Sequence, residues 1–150
     1  MPVSWTQNFY HAVFSTRQRR AMIKPGSEPR IHAFIGGILR DLGCAAIAIN
    51  GMPDHVHLLA RYPARLAHAD MLRHVKSRSS AWIRETLPLM TDFAWQEGYG
   101  GFTVSKSAVD TVAEYIRRQK EHHGRLSFEQ EFLELLQRHG VEFRESEVFE

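Results

Sequence analysis

The sequence predicts a single α+β domain of ferredoxin-like type, in which an antiparallel sheet carries helices mainly on one face. Two observations predict it. Short runs rich in aromatic and β-branched residues alternate along the chain with stretches whose apolar residues follow helical spacing. An Asn-Gly pair at positions 50 and 51 separates two strand-like runs, as in a β-hairpin. Because 150 residues suffice for one sizeable core, we expect a single domain, 1–150, ending in a helix and an acidic tail.

The first half of the chain predicts three strands and two helices. The elements are, in order, a strand over 4–16, a helix over 28–42, strands over 44–50 and 55–62, and a helix over 66–87. The first of these helices has a glycine, Gly43, at its end, and the second stops before Pro88. The two middle strands are predicted to pair across the turn at Asn50-Gly51.

The second half predicts a short hairpin followed by helices. The elements are a strand over 93–96 that pairs with 102–105 across a glycine-rich turn, a helix over 107–122 and a last helix over 127–139. The spacing of Ser107 and Asp110 has the form of a capping box, which would begin the helix over 107–122. Strand, helix, strand, strand, helix, strand, helix is the rhythm of an antiparallel sheet with packed helices.

Composition is that of a soluble globular protein, with 43% hydrophobic and 24% charged residues. The net charge of +2 does not demand a polyanionic partner, but 15 of the 19 basic residues are arginine, which suits bidentate contacts with phosphate. A single cysteine, Cys44, excludes an internal disulfide and a cysteine-based zinc cluster. No apolar stretch has the length of a membrane span and no signal peptide is evident, so we expect a cytoplasmic protein without a membrane partner.

The sequence His55-Val56-His57 lies at the start of a predicted strand. Side chains alternate between the faces of a strand, so the two imidazoles point the same way while Val56 points into the core. Two imidazoles on one face of a stiff element form half of a plausible metal site. The alternative is that one or both histidines are solvated strand residues.

A second candidate group lies in the predicted helix over 107–122. Tyr115 and Gln119 are one turn apart at the edge of its apolar face, with His122 beside them and the basic Arg118 among the neighbouring residues. Joined to the histidine pair, the amide oxygen would complete a site for a divalent ion with positions open to phosphate oxygens. The phenol would then be a nucleophile toward a phosphodiester. By itself, a tyrosine at the edge of a core is more often structural.

Two groups of basic residues are candidate phosphate contacts. One is the cluster Arg17, Arg19 and Arg20 after the first strand. The other is the face of the helix over 66–87 that carries Arg73, Lys76 and Arg78 between serines. For each group the alternative is a solvated surface.

The chain resembles the HUH single-tyrosine transposases of small insertion sequences, including those associated with repeated palindromes. His55-Val56-His57 matches the histidine–hydrophobic–histidine motif, and Tyr115-Ile116-Arg117-Arg118-Gln119 matches the single tyrosine followed one turn later by glutamine. The segments 10–17, 52–59 and 95–99 are also similar to the family.

This resemblance implies a ferredoxin-like fold, Mg²⁺ or Mn²⁺, and a nucleoid-associated protein. It also implies a homodimer in which the tyrosine helix often serves the partner's metal site, so the tyrosine could act within its own subunit or across the dimer. It also implies cleavage of single-stranded DNA near hairpin or palindromic ends through a 5′-phosphotyrosine. Carried onto this chain, it implies His55, His57 and Gln119 as metal ligands and Tyr115 as nucleophile. Asp54 stands where relatives often have asparagine, and it would either orient a histidine or add negative charge near the ion. Arg118 and His122 would be further DNA contacts, although the pair at 122–123 also fits proton transfer or a solvated helix end.

Three functions are therefore weighed. The first is a DNA transposase that nicks and rejoins single strands. The second is a domesticated relative that binds palindromic or hairpin DNA without cutting it, although every candidate catalytic position is filled. The third is an unrelated ferredoxin-like metal-binding or regulatory protein, which requires the ordered set of motifs to be accidental.

Overall fold

The computed structural model describes residues 2–122 and 124–149 and places four antiparallel strands in one sheet. The strands are β1 (Asn8–Ser15), β2 (Ala45–Met52), β3 (His55–Tyr62) and β4 (Gly100–Val104). Their order across the sheet is β2-β3-β1-β4, so β1 and β3 lie at the centre. Together with the packed helices, this sheet confirms the predicted α+β fold class.

Helices cover both faces of the sheet. The described residues form α1 (Glu28–Asp41), α2 (His68–Thr86), α3 (Val109–Arg117), α4 (Gln119–His122), α5 (Phe128–Arg138) and α6 (Glu145–Val148). The long helices α1 and α2 pack on one face, where Phe14 and Leu58 belong to the largest apolar cluster. The shorter α3 and α5 pack on the other face, against Leu59 and Phe102 respectively. Among residues 2–122 and 124–149, no helix combines the length and apolarity needed to cross a membrane.

The predicted β2–β3 hairpin is correct, but its turn lies elsewhere. Asn50 pairs with His57 inside the ladder, and the turn is at Pro53-Asp54. The strand therefore continues past the Asn-Gly pair. Gly51 is needed for close approach, since a Cβ there would lie 2.1 Å from the carbonyl oxygen of His55.

The predicted hairpin between 93–96 and 102–105 is wrong. β4 pairs with the central strand β1, and Trp95 makes only an isolated bridge to Thr16. The side chain of Trp95 is buried in the α1–α2 core, and this burial places the segment 93–96 at the end of the sheet beside Thr16. Burial of that aromatic side chain outweighs the local turn signal.

The predicted capping box at Ser107 is also wrong. Residues Lys106–Ala108 form a 3₁₀ turn, and Ala108 precedes α3 without a side-chain capping bond. The helix then breaks at Arg118, which separates α3 from α4. A complete capping box lies instead at the start of α5, between Ser127 and Gln130.

Candidate active site

The two histidines of β3 lie side by side on the face of the sheet beneath α3 and α5. His55 and His57 are both 0% exposed, and their ring centroids are 5.2 Å apart. Strand alternation turns Val56 and Leu58 into the opposite, α1–α2 core. The alternative that these histidines are solvated is therefore excluded.

A carboxylate from α5 completes the cluster. Glu131 Oε1 lies 2.9 Å from His57 Nε2 and 3.5 Å from His55 Nε2, and Glu131 is 1% exposed. The candidate ligand atoms of these three residues lie within 4.8 Å of one another. Two imidazoles and a carboxylate in this proximity are a donor set that can hold a divalent ion.

Sequence reasoning missed Glu131, although a signal was present. Phe128, Phe132 and Leu135 form the buried stripe of α5, and Glu131 falls at helical spacing within that stripe. A carboxylate in the centre of an apolar helix face must find partners in the core, because burying an unpaired charge is costly. Such a residue is a candidate ligand.

Gln119, the first residue of α4, enters the same cluster. Its Oε1 lies 3.1 Å from His55 Nε2, and its Nε2 donates to Glu131 Oε2 at 3.1 Å. The break at Arg118 precedes it, and Asn50 holds the end of α3 by donating to the carbonyl oxygens of Ile116 and Arg117, both at 3.0 Å. The predicted turn residue Asn50 thus caps a helix beside the site.

Asp54 and the cluster oxygens test whether the site suits a cation. His55 Nδ1 lies 2.7 Å from Asp54 Oδ1, and this contact orients the ring so that Nε2 faces the oxygens of Gln119 and Glu131. Two imidazoles and a carboxylate converge there beside an amide oxygen, and these are donor types that divalent first-row ions accept. The residues present therefore fit a divalent metal.

Tyr115 reaches the cluster through the carboxylate. Its hydroxyl donates to Glu131 Oε2, and its ring centroid lies 5.9 Å from that of His57. Burial first, and then the hydrogen bond to Glu131, raise the pKa of Tyr115 above its ordinary value. The phenol is therefore protonated at neutral pH in this arrangement.

Basic residues lie near Tyr115, but they do not offset the carboxylate beside it. Arg118 lines a cavity with Tyr115 and donates to Glu121 at 2.9 Å, and Lys120 lies 2.7 Å from a carboxylate oxygen of Glu28. The charged group in contact with the phenol is the carboxylate of Glu131. Burial and Glu131 raise the pKa of Tyr115, and the charge of Arg138 opposes this rise without overcoming it, so a phenolate here requires further positive charge at the cluster.

His11 of β1 supports the cluster from behind. Its Nε2 lies 2.9 Å from His57 Nδ1, and it is 3% exposed. Burial first, and then the neighbouring His57, hold the pKa of His11 well below its usual value, so His11 is neutral. A neutral imidazole can accept from or donate to His57 Nδ1, which leaves His57 Nε2 directed at the cluster.

The sequence matches the family model described as Transposase IS200 like over residues 4–119. The chain belongs to this transposase family. A candidate transposase from Deinococcus radiodurans R1 has the same fold, with a TM-score of 0.64 and 21% identity over 79% of this chain and 95% of that one. The structure of a REP-associated tyrosine transposase bound to a REP hairpin is also similar. It has a TM-score of 0.62 and 16% sequence identity, over 84% of this chain and 74% of that one. No curated protein matches the chain.

The family match of this transposase includes the two histidines, Tyr115 and Gln119 but stops short of α5. Glu131 therefore comes from the segment that follows the matched region. The matched region therefore does not contain Glu131, the carboxylate that contacts the other residues of the cluster.

The structure separates the predicted DNA contacts into groups. Arg17, Arg73 and Lys76 line one groove. Arg78 lies outside that groove and donates to Asp41 at 2.9 Å.

The remaining predicted contacts lie in three further places. Arg19 lies 3.3 Å from Glu129, and Arg20 lines a separate cavity near Met22. Arg118 and His122 line a cavity of about 520 Å³ together with Tyr115. His122 stacks on the Tyr115 ring at 4.6 Å, and its neighbour at position 123 lies outside the described residues.

Proposed function

We propose that this transposase cleaves and rejoins single-stranded DNA near hairpins through a covalent 5′-phosphotyrosine formed by Tyr115. One observation carries the proposal: a phenol and an imidazole meet at a single carboxylate. Tyr115 donates to one oxygen of Glu131, and the other oxygen lies 2.9 Å from His57 Nε2. A nucleophile and a candidate metal site are thus as close as phosphoryl transfer requires.

We infer that His55, His57 and Glu131 hold Mg²⁺ or Mn²⁺, with the amide oxygen of Gln119 as a further ligand and Asp54 orienting His55. Mn²⁺ is expected to bind more tightly, because Mg²⁺ prefers oxygen ligands and retains its waters, whereas this site offers two nitrogens. When bound, the ion supplies Lewis-acid stabilisation of the negative charge that develops on the phosphate.

In the proposed reaction the phenolic oxygen of Tyr115 forms a bond to phosphorus, and the bond from phosphorus to the 3′ oxygen breaks. The phenolic proton passes to Glu131 Oε2, which already accepts the hydrogen bond of Tyr115. The leaving 3′ oxygen takes a proton from water and becomes a hydroxyl. Because the phosphotyrosine conserves the diester bond, a 3′ hydroxyl can later attack it and rejoin the strand.

All of these groups belong to one chain. The 5.9 Å separation of the Tyr115 and His57 rings supports a tyrosine that serves the histidine pair of its own chain. The homodimer implied by the family resemblance stays a proposal, and it is not needed to complete the site.

Hairpin DNA is the proposed partner. The relative with the 0.62 TM-score is bound to a REP hairpin, and by analogy we expect single-stranded DNA with hairpin or palindromic ends here. A nucleoid-associated location is the corresponding expectation.

A palindrome-binding protein that does not cleave is the second candidate, and the burial of the cluster favours it. His55, His57 and Gln119 are each 0% exposed, so a DNA phosphate must displace side chains to reach them. A protein that retains the site but keeps it closed would bind hairpins without turnover.

Incubation with end-labelled hairpin oligonucleotides and Mn²⁺, followed by a denaturing gel, separates the two candidates. A labelled band that migrates with the protein, with the nucleotide mapped to Tyr115 by mass spectrometry, supports the transposase. Hairpins shifted on a native gel without any covalent band, across a range of Mn²⁺ concentrations, support the binding protein. Attachment to another residue would refute Tyr115 as the nucleophile.

A further inference from the structure

A groove runs between α2 and the segment 94–99, away from the histidine cluster. Its volume is about 520 Å³. Four basic side chains line it: those of Arg17, Arg73, Lys76 and Arg84. Glu97 is the acidic residue among its lining residues, so positive charge prevails.

Hydrogen bonds hold the groove in a fixed shape. Arg17 N donates to the carbonyl oxygen of Ala94 at 2.8 Å, which ties one wall to the end of β1. Lys76 Nζ donates to the carbonyl oxygens of Glu97 and Gly98 at 2.8 and 2.9 Å, which ties the same wall to α2. A preformed groove loses little conformational entropy when it binds a ligand.

An aromatic side chain lies among the charges. Tyr99 lines the groove and is 36% exposed, and the hydroxyl-bearing Ser77 and Ser80 line it as well. Basic side chains along a groove with an aromatic platform are the combination that binds single-stranded nucleic acid, because phosphates meet the cations and a base stacks on the ring.

The occupant is a single strand rather than a duplex. An aromatic ring inside a groove can stack only on an unpaired base, because the bases inside a duplex are already stacked. A volume of about 520 Å³ lies in the range of clefts for small ligands, roughly 300 to 1,000 Å³, which suits one or two nucleotides.

One end of the groove lies near the end of the sheet that carries the histidine pair. A second cavity of about 490 Å³ shares Arg17, Trp95, Gln96 and Glu97 with the groove and extends to Glu147 of α6. Arg17 lies two residues after Ser15, which pairs with His55 across the β1–β3 ladder. A strand lying in the groove would therefore leave it at the end of the sheet where the histidine pair begins.

We propose that this groove binds the single-stranded DNA that flanks the cleavage site, with phosphates on Arg17, Arg73 and Arg84 and an unpaired base on Tyr99. The nature of the polyanion rests on the proposed function. The location of the site follows from the groove alone. Arg84 and Tyr99 line the groove and therefore receive a role in binding, whereas Arg78 lies outside it and receives none.

The test measures the affinity of fluorescein-labelled dT12 and of a blunt DNA hairpin by anisotropy at several salt concentrations. For dT12 we expect Tyr99→Ala and Arg73→Ala each to weaken binding about tenfold. Arg73→Ala should also reduce the slope of log K against log salt by about 0.7. The matched control is Arg78→Ala, on the same helix but outside the groove and paired with Asp41.

Equal affinity of Tyr99→Ala, Arg73→Ala and Arg78→Ala for dT12, or a loss of affinity for the blunt hairpin in Tyr99→Ala as large as the loss for dT12, would overturn the proposal. Tyr99 and Arg73 are exposed, so these variants should fold. The result is independent of cleavage: groove-dependent binding without a covalent adduct would retain the groove and reject the proposed reaction. An adduct formed equally well by all three variants would retain the reaction and reject the groove.

Discussion

The face of the sheet that carries α1 and α2 is packed with apolar side chains, whereas the face beneath α3 and α5 has buried polar groups at its centre. The same two strands build both. Phe14 and Leu58 point to the first face, and His11 and His57 point to the second. The first face is stabilised by apolar burial, which is non-directional and does not depend on exact side-chain geometry. The second is stabilised by directional polar contacts, each of which has a specific partner.

The largest expected effect is on the polar face. Tyr115→Phe removes the proposed nucleophile and should lower covalent adduct formation by about 10⁶-fold, which is below detection. Native-gel binding of hairpins should change little, because the ring remains. The control is Tyr62→Phe, which removes the hydroxyl that contacts His68, away from the cluster. Adducts in Tyr115→Phe would show that another group attacks the phosphate.

Two consecutive leucines compare the faces directly. Leu58 lies in the α1–α2 core and Leu59 under α3, and both are fully buried. Each Leu→Ala substitution should cost about 2–5 kcal/mol in the free energy of unfolding by urea. Only Leu59→Ala should also weaken Mn²⁺ binding in a calorimetric titration, because it loosens the packing under α3. Equal loss of Mn²⁺ affinity in both variants would mean that the two faces are not independent.

Glu131→Gln tests the carboxylate of the cluster. We expect Mn²⁺ at about 100 times its Kd to stabilise the wild-type protein by about 2.7 kcal/mol. Glu131→Gln should lose most of this gain in a thermal unfolding assay, since a neutral amide is a weaker ligand. Glu129→Gln, on the same helix and paired with Arg19, is the matched control and should retain it. Retention by both variants would remove Glu131 from the ligand set.

Asn50→Ala tests the support of the polar face. The substitution removes this donor from the carbonyl oxygens of Ile116 and Arg117, at a cost of about 1 kcal/mol in the free energy of unfolding by urea, because water reaches these partly exposed bonds. The matched control is Asn8→Ala, at the start of β1 and away from α3. An Asn50→Ala variant as stable as the control would contradict a capping role.

The smallest effect concerns pH and lies on the α1–α2 side. Burial lowers the pKa of Lys76 to about 8 from 10.5. Between these values the unfolded chain holds a proton that the folded chain has lost, so folding stability should rise with pH from about 8 to 10.5. Lys76 is partly exposed, so solvent screening keeps the rise small.

The Lys76 effect is measured as a difference between proteins, because other groups titrate in the same range. The pH dependence of urea unfolding should be shallower in Lys76→Met than in the wild type, and unchanged in the exposed control Lys106→Met. Identical slopes in all three would remove Lys76 as the source.

Much of the fold could be predicted, because its elements carry local signals. The stripes of α1 and α2 follow helical spacing, and the β2–β3 hairpin follows from two short strands in succession. The predictions failed where long-range contacts decided the outcome. Trp95 joined the core instead of a hairpin, and Asn50 served a helix that begins more than fifty residues later.

By itself the sequence determined which side chains share a face: strand alternation turned His55 and His57 the same way, and helical spacing set Tyr115 and Gln119 one turn apart. It also carried the family motif. Only the tertiary structure decided what these groups meet. Glu131 lies twelve residues after Gln119, the last residue of the motif. It contacts the cluster because α5 packs over the second face of the sheet. Periodicity describes the orientation of a side chain within its own element, whereas a site depends on how separate elements pack.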